Sequence, residues 1–162
     1  MSPYVRQGNL FGAPTARMTT KAHRAVAFHE AGHAVALEVT GGRVQEVRCE
    51  FHHPIPLHHV LGTGWTPEAT LAGIVAERWA EAGWLSPVGR SPRELRLLGW
   101  GDDVESWRQA TARRKPLRRA LEETERILLP YRPTVARLAG LLLENPAVDG
   151  ADVRSLVEAM QP

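Results

Sequence analysis

The sequence predicts a mainly α domain of about six helices with one small two- or three-stranded β-sheet. Three observations predict it. The stretch "AVAFHEAGHAVALEV" (25–39) is apolar with helical spacing. Helix starts recur downstream, each a capping residue or proline followed by an acid, as at Thr66-Pro67-Glu68 and Ser91-Pro92-Arg93-Glu94. Clear two-residue alternation occurs once, around Val47.

Taken in order, Thr20 is placed to cap the first helix. Phe28, Ala31 or Gly32, Val35 and Val39 define its buried stripe, and Gly41-Gly42 ends it. Val47, Cys49 and Phe51 alternate with Glu46, Arg48 and Glu50 as a half-buried strand. "HHPIP" (52–56) reads as a loop, and His59 to Trp65 as a short partner strand weakened by Gly62 and Gly64. Thr66-Pro67-Glu68 opens a helix with Leu71, Ile74, Val75, Arg78 or Trp79 and Ala82 on one face, stopped by Gly83. Ser91 to Glu94 opens a short helix ended by Gly99. Asp102 caps another that runs toward Ala112. Pro116 opens the next, which Pro130 and Pro133 kink or break. Leu138, Leu141 and Leu142 mark a further helix. Asp149 caps the last, which carries Val153, Leu156 and Val157.

The 162 residues fit one domain, taken as 19–162 behind a flexible arm at 1–18. A hydrophobic fraction of 43% and a charged fraction of 23% exclude a disordered chain outside that arm. The net charge of +2 is too small to point to nucleic acid or a membrane surface. A single cysteine, Cys49, excludes an intrachain disulfide and fits a reducing compartment. Residues 1–20 lack the apolar run of a secretory signal, and no apolar stretch is long enough to span a bilayer. The expected location is cytoplasmic. Neither a Walker nor a Rossmann glycine pattern occurs, so no nucleotide is expected.

The chemistry sits in "HEAGH" (29–33), an H-E-x-x-H pattern. Residues four apart on a helix lie on one face, one turn apart. His29 and His33 can therefore converge on one Zn²⁺, with bonds of about 2.0–2.1 Å. Glu30, beside the first of them, can reach a water held there without ligating the metal, and so act as general base. A charged glutamate between two histidines on an apolar helix is costly to bury unless something compensates, and a metal would.

A catalytic zinc takes three protein ligands. Glu38 is five residues past His33 and faces away. Glu77, in "LAGIVAERWAE" (71–81), and Asp103, in the first turn after "GWGDD", are both candidates. Position alone leaves the choice between them open.

Other clusters have plainer readings. The pairs His52-His53 and His58-His59 flank a proline-rich loop. Alternation along a strand lets each pair offer only one ligand to a given side, so adventitious metal affinity is the expectation, with one histidine beside the substrate as the alternative. "RQATARRKPLRR" (108–119) is basic but lacks interleaved aromatics, so nucleic-acid binding is not expected. Most of the five tryptophans, at 65, 79, 84, 100 and 107, are expected in the core, with one at a substrate groove.

The segments "AVAFHEAGHAVALEV", "LAGIVAERWAE" and "GWGDDVESWRQAT", and more weakly the tail "LEETERILLPYRPTVARLAGLLLENPAVDGADVRSLV", resemble the protease domain of the FtsH family of zinc metalloproteases (peptidase family M41). The resemblance covers roughly residues 22–160. It implies a zinc-metalloprotease fold, ligands His29, His33 and Asp103, Glu30 as the catalytic glutamate, and Glu77 as an acid orienting a ligand histidine. It also implies that the strand near Val60–Trp65 takes an extended substrate by edge addition. Against that family, a protease domain without the ATPase module and membrane spans is expected, with one stretch shortened to "ARRKPLRR".

The expected function is that of a stand-alone zinc-dependent metalloendopeptidase acting on flexible or unfolded polypeptides. Two alternatives stand beside it. One is a regulatory H-E-x-x-H peptidase cleaving a single dedicated partner protein. The other is a non-catalytic zinc-binding adaptor or inactive remnant. The sequence leaves natural substrate and oligomeric state open.

Overall fold

In the computed structural model of the chain, which describes residues 20–51, 57–80, 93, 100–111 and 116–160, the apolar run becomes helix α1 (Thr20–Val39). The expected stripe understates its burial, because every residue from Ala25 to Leu37 is buried. The cause is side-chain size. Alanines and Gly32 keep the helix thin, so neighbours approach on all sides. A Cβ on Gly32 would overlap Ala76 and lie 2.7 Å from the Ala72 carbonyl oxygen, so the facing helix meets α1 backbone to backbone. At its end Gly41 takes a positive φ of 89°, Gly41 N–H donates to Glu38 O and Gly42 N–H to Leu37 O, which satisfies the last carbonyls.

The chain turns there into a three-stranded antiparallel sheet of β1 (Arg43–Glu50), β2 (Leu57–Thr63) and β3 (Ala147–Asp149), in the order β2-β1-β3. Val47 and Cys49 point inward as their alternation requires, opposite Val60 and His58. Arg48, bonded to Glu46 and Glu50, covers the outer face. β2 begins at Leu57, two residues before the expected His59, because its register with β1 continues through Cys49↔His58 and Glu50↔Leu57. β3 carries no alternation long enough to announce it.

Helix α2 (Pro67–Glu77) starts as expected, with Ala69 N–H donating to the Thr66 hydroxyl (3.1 Å) and Pro67 in the first turn. It too is buried all round from Ala69 to Glu77, not on one face. It is the central helix, packed by α1, by α3 (Gly101–Thr111) and by α4 (Leu117–Leu128). A 3₁₀ turn at Arg78–Ala80 follows it. Asp102 does not cap α3. It lies inside the first turn, while Trp100 stands before the helix with its carbonyl accepting from Val104 N–H. After α4, Pro130 falls in a 3₁₀ turn (Leu129–Tyr131) and α5 (Arg132–Glu144) resumes at once. Asp149 caps α6 (Gly150–Glu158), accepting from Ala151 N–H at 2.7 Å. That makes six α-helices among the described residues. The arm at 1–18, the loop at 52–56 and the short helix expected at 91–99, Arg93 excepted, lie outside them.

Candidate metal centre

His29 and His33 face α2 and α3 from one side of α1, and both are buried. Each ring is held through Nδ1. That of His29 lies 2.9 Å from Glu77 Oε2, and that of His33 lies 2.8 Å from the Ala69 carbonyl oxygen. A carboxylate and a carbonyl can only accept, so each Nδ1 carries the proton and donates. In the neutral rings the two Nε2 atoms then carry lone pairs, and they face each other at 3.1 Å. Asp103, buried at the start of α3, brings Oδ2 to 3.3 Å from His29 Nε2 and Oδ1 to 3.4 Å from His33 Nε2.

Acceptors gathered this closely in a low-dielectric interior need a positive charge among them. Their spacing fits a metal ion. Tetrahedral bonds of about 2.0–2.1 Å set ligand atoms roughly 3.3 Å apart, close to all three separations. Room exists because position 73 has no side chain. A Cβ on Gly73 would overlap His33 Nε2 and lie 2.6 Å from His29 Nε2. His29, His33 and Asp103 thus form a buried group that could hold a metal ion.

Glu77 is tied twice through one oxygen, for Trp100 Nε1–H also donates to its Oε2, at 2.7 Å. The indole and imidazole together fix that carboxylate behind His29. Glu77 therefore meets His29 at the nitrogen turned away from Asp103, and the structure gives the two acids different places. Glu38 accepts from Val44 N–H and pairs with Arg154, away from the cluster.

Glu30 is buried, with its Oε1 2.6 Å from Nδ1 of His58 on β2. Burial pushes its carboxyl up. The His58 hydrogen bond, with the electrostatic influence of the His58, His29 and His33 rings, outweighs that and holds it at about 2. Ionised Glu30 only accepts, so His58 Nδ1–H donates. Sequence reasoning had not joined His58 to Glu30. Alternation showed that one member of the pair turns inward, not which one. His59 turns outward, toward Glu46. Trp65, after β2, meets the His33 ring edge-on at 5.8 Å, while Trp100 and Trp107 are core. Trp84, His52, His53 and residues 112–115 lie outside the described residues. Of the basic run, Arg108, Arg118 and Arg119 pair with Glu105, Glu122 and Glu123 on their own helices, as a solvated face does.

Fold and site together define a mainly helical domain built around a buried group able to hold a metal ion. No family model matches the chain, and no curated protein matches it. No helix of the described residues is long and apolar enough to cross a membrane.

Proposed function

We propose that this protein is a zinc-dependent metalloendopeptidase of the FtsH (M41) type that hydrolyses peptide bonds in flexible or unfolded polypeptides. The observation that carries the reading is the buried His29–His33–Asp103 group with ionised Glu30 next to its first histidine. Three neutral-nitrogen and carboxylate donors leave a fourth position open, as a catalytic zinc requires.

Bound there, zinc supplies the Lewis acidity that makes water nucleophilic near neutral pH and polarises a peptide carbonyl. The chain's own residues do the rest. Glu77 and Ala69 O hold the two imidazoles in the tautomer that presents Nε2. Glu30 takes a proton from the attacking water and returns it to the departing amine nitrogen. β2 has one edge without a strand partner among the described residues, and an extended peptide pairing there would be read by its backbone. The lone, buried Cys49 suits a reducing, cytoplasmic setting.

The test is zinc content together with casein cleavage, in wild type and Glu30→Gln. Wild type should hold zinc and cleave; Glu30→Gln should hold zinc and not cleave. Zinc without turnover in wild type would make the protein a zinc-binding adaptor. Turnover on one partner protein alone would make it a regulatory peptidase.

A further inference from the structure

We propose, resting on the peptidase reading above, that His58 is the positioning residue for Glu30: its Nδ1–H holds Oε1, so that the other carboxylate oxygen faces the attacking water. The bond joins residues 28 apart in sequence at 2.6 Å, and both side chains are almost wholly buried. Each end stands on a rigid element. Glu30 belongs to the buried turn of α1, and His58 to β2, locked to β1 through its pairing with Cys49.

A glutamate beside two metal-ligating imidazoles has competing places to go. Three side-chain torsions let it swing toward the cation and take the fourth position, which would exclude water. A proton-bearing nitrogen on the far side prevents that. The imidazole spends one proton on one oxygen and leaves the carboxylate's second oxygen to do the chemistry. Orientation of this kind matters because a misplacement of about 1 Å near reacting atoms costs on the order of 100-fold in rate. His58 meets the site through its bond to Glu30, so its effect on the chemistry passes through that carboxylate.

Two variants and one spectrum test this. His58→Phe keeps a ring but removes the donor. His58→Asn sets an amide N–H close to where Nδ1 was. His58→Phe should keep its zinc, lose some thermal stability because Glu30 stays buried without its donor, fall about 100-fold in kcat and leave KM nearly unchanged. His58→Asn should recover most of that loss. Equal turnover in His58→Phe and wild type overturns the proposal, and so does a His58→Asn variant no better than His58→Phe. Nitrogen-15 NMR of the zinc-loaded protein reads the bond without turnover: His58 Nδ1 should be protonated, and Glu30→Gln should shift it. An unprotonated Nδ1 overturns the proposal even where His58→Phe fails to fold. Wild type that neither holds zinc nor cleaves counts against the peptidase reading, while the same spectrum of the metal-free protein still judges the His58–Glu30 bond.

Discussion

His29 donates through Nδ1 to Glu77 Oε2 at 2.9 Å, and this bond decides which nitrogen of His29 faces Asp103. Glu77 sits behind the ligand atom and Asp103 in front of it, so their removal should differ in kind. Glu77→Ala should weaken zinc binding roughly 10- to 100-fold by freeing the ring and its tautomer. Asp103→Ala deletes a donor and should weaken it further. Competition titrations with a zinc-sensitive dye rank the two. Full zinc in Asp103→Ala beside loss in Glu77→Ala would exchange the roles assigned to these acids.

Gly73 provides the next expectation. The methyl of an alanine there would overlap His33 Nε2 and crowd His29 Nε2. Gly73→Ala should destabilise the metal-free protein by roughly 1–3 kcal/mol through overpacking. Added zinc should no longer raise its melting temperature, because the methyl occupies the space between the donors. Gly32→Ala is the control. Its methyl would strain the contact of α1 with Ala72 and Ala76 rather than overlap the ligand nitrogens, and it should lose stability while keeping a response to zinc.

These residues show which features the sequence carried. The Thr66 and Asp149 caps were legible because a cap is settled within three residues of chain. The His29–His33 pair was legible because helical period alone aligns it. Asp103 and Glu77 were candidates without an order between them, since their places depend on how α2 packs on α1 and α3 on α2. The His58–Glu30 bond depends on the β1–β2 register, which a bulge between Val44 and Glu46 adjusts. β3 has three residues and no pattern of its own, and pairing with β1 creates it. Asp102 was misplaced because a polar residue is the usual cap, whereas Trp100 holds that end of α3 through Glu77.

Cys49 should behave as a buried apolar residue rather than a reactive thiol. Burial pushes the thiol well above its ordinary range, and the negative charge of Glu30 adds to this. Little thiolate then exists at neutral pH, and reagents cannot reach it. A chromogenic disulfide reagent at pH 8 should leave the folded protein unmodified and label one thiol per chain after denaturation. Rapid labelling of the folded protein would contradict the packing of β1 against α1.

Metal binding should be visible as stability. The cluster exists only in the folded chain, for His29 and Asp103 are 74 residues apart in sequence and meet because α1 and α3 both pack on α2. A ligand that binds only the folded state at about 100 times its Kd stabilises it by about 2.7 kcal/mol. For a chain of this size each kcal/mol raises Tm by about 2–4 °C, so zinc should raise it by roughly 5–11 °C and a chelator should reverse the gain. The gain should fade as the solution is made acidic, because protons compete with the cation for Nε2. Differential scanning calorimetry from pH 8 to 5, with and without zinc, measures both effects. Asp103→Asn should lose most of the shift at every pH, since it removes the negative charge that the two imidazoles share the cation with. A zinc-induced shift of equal size in that variant would place the ion elsewhere in the molecule.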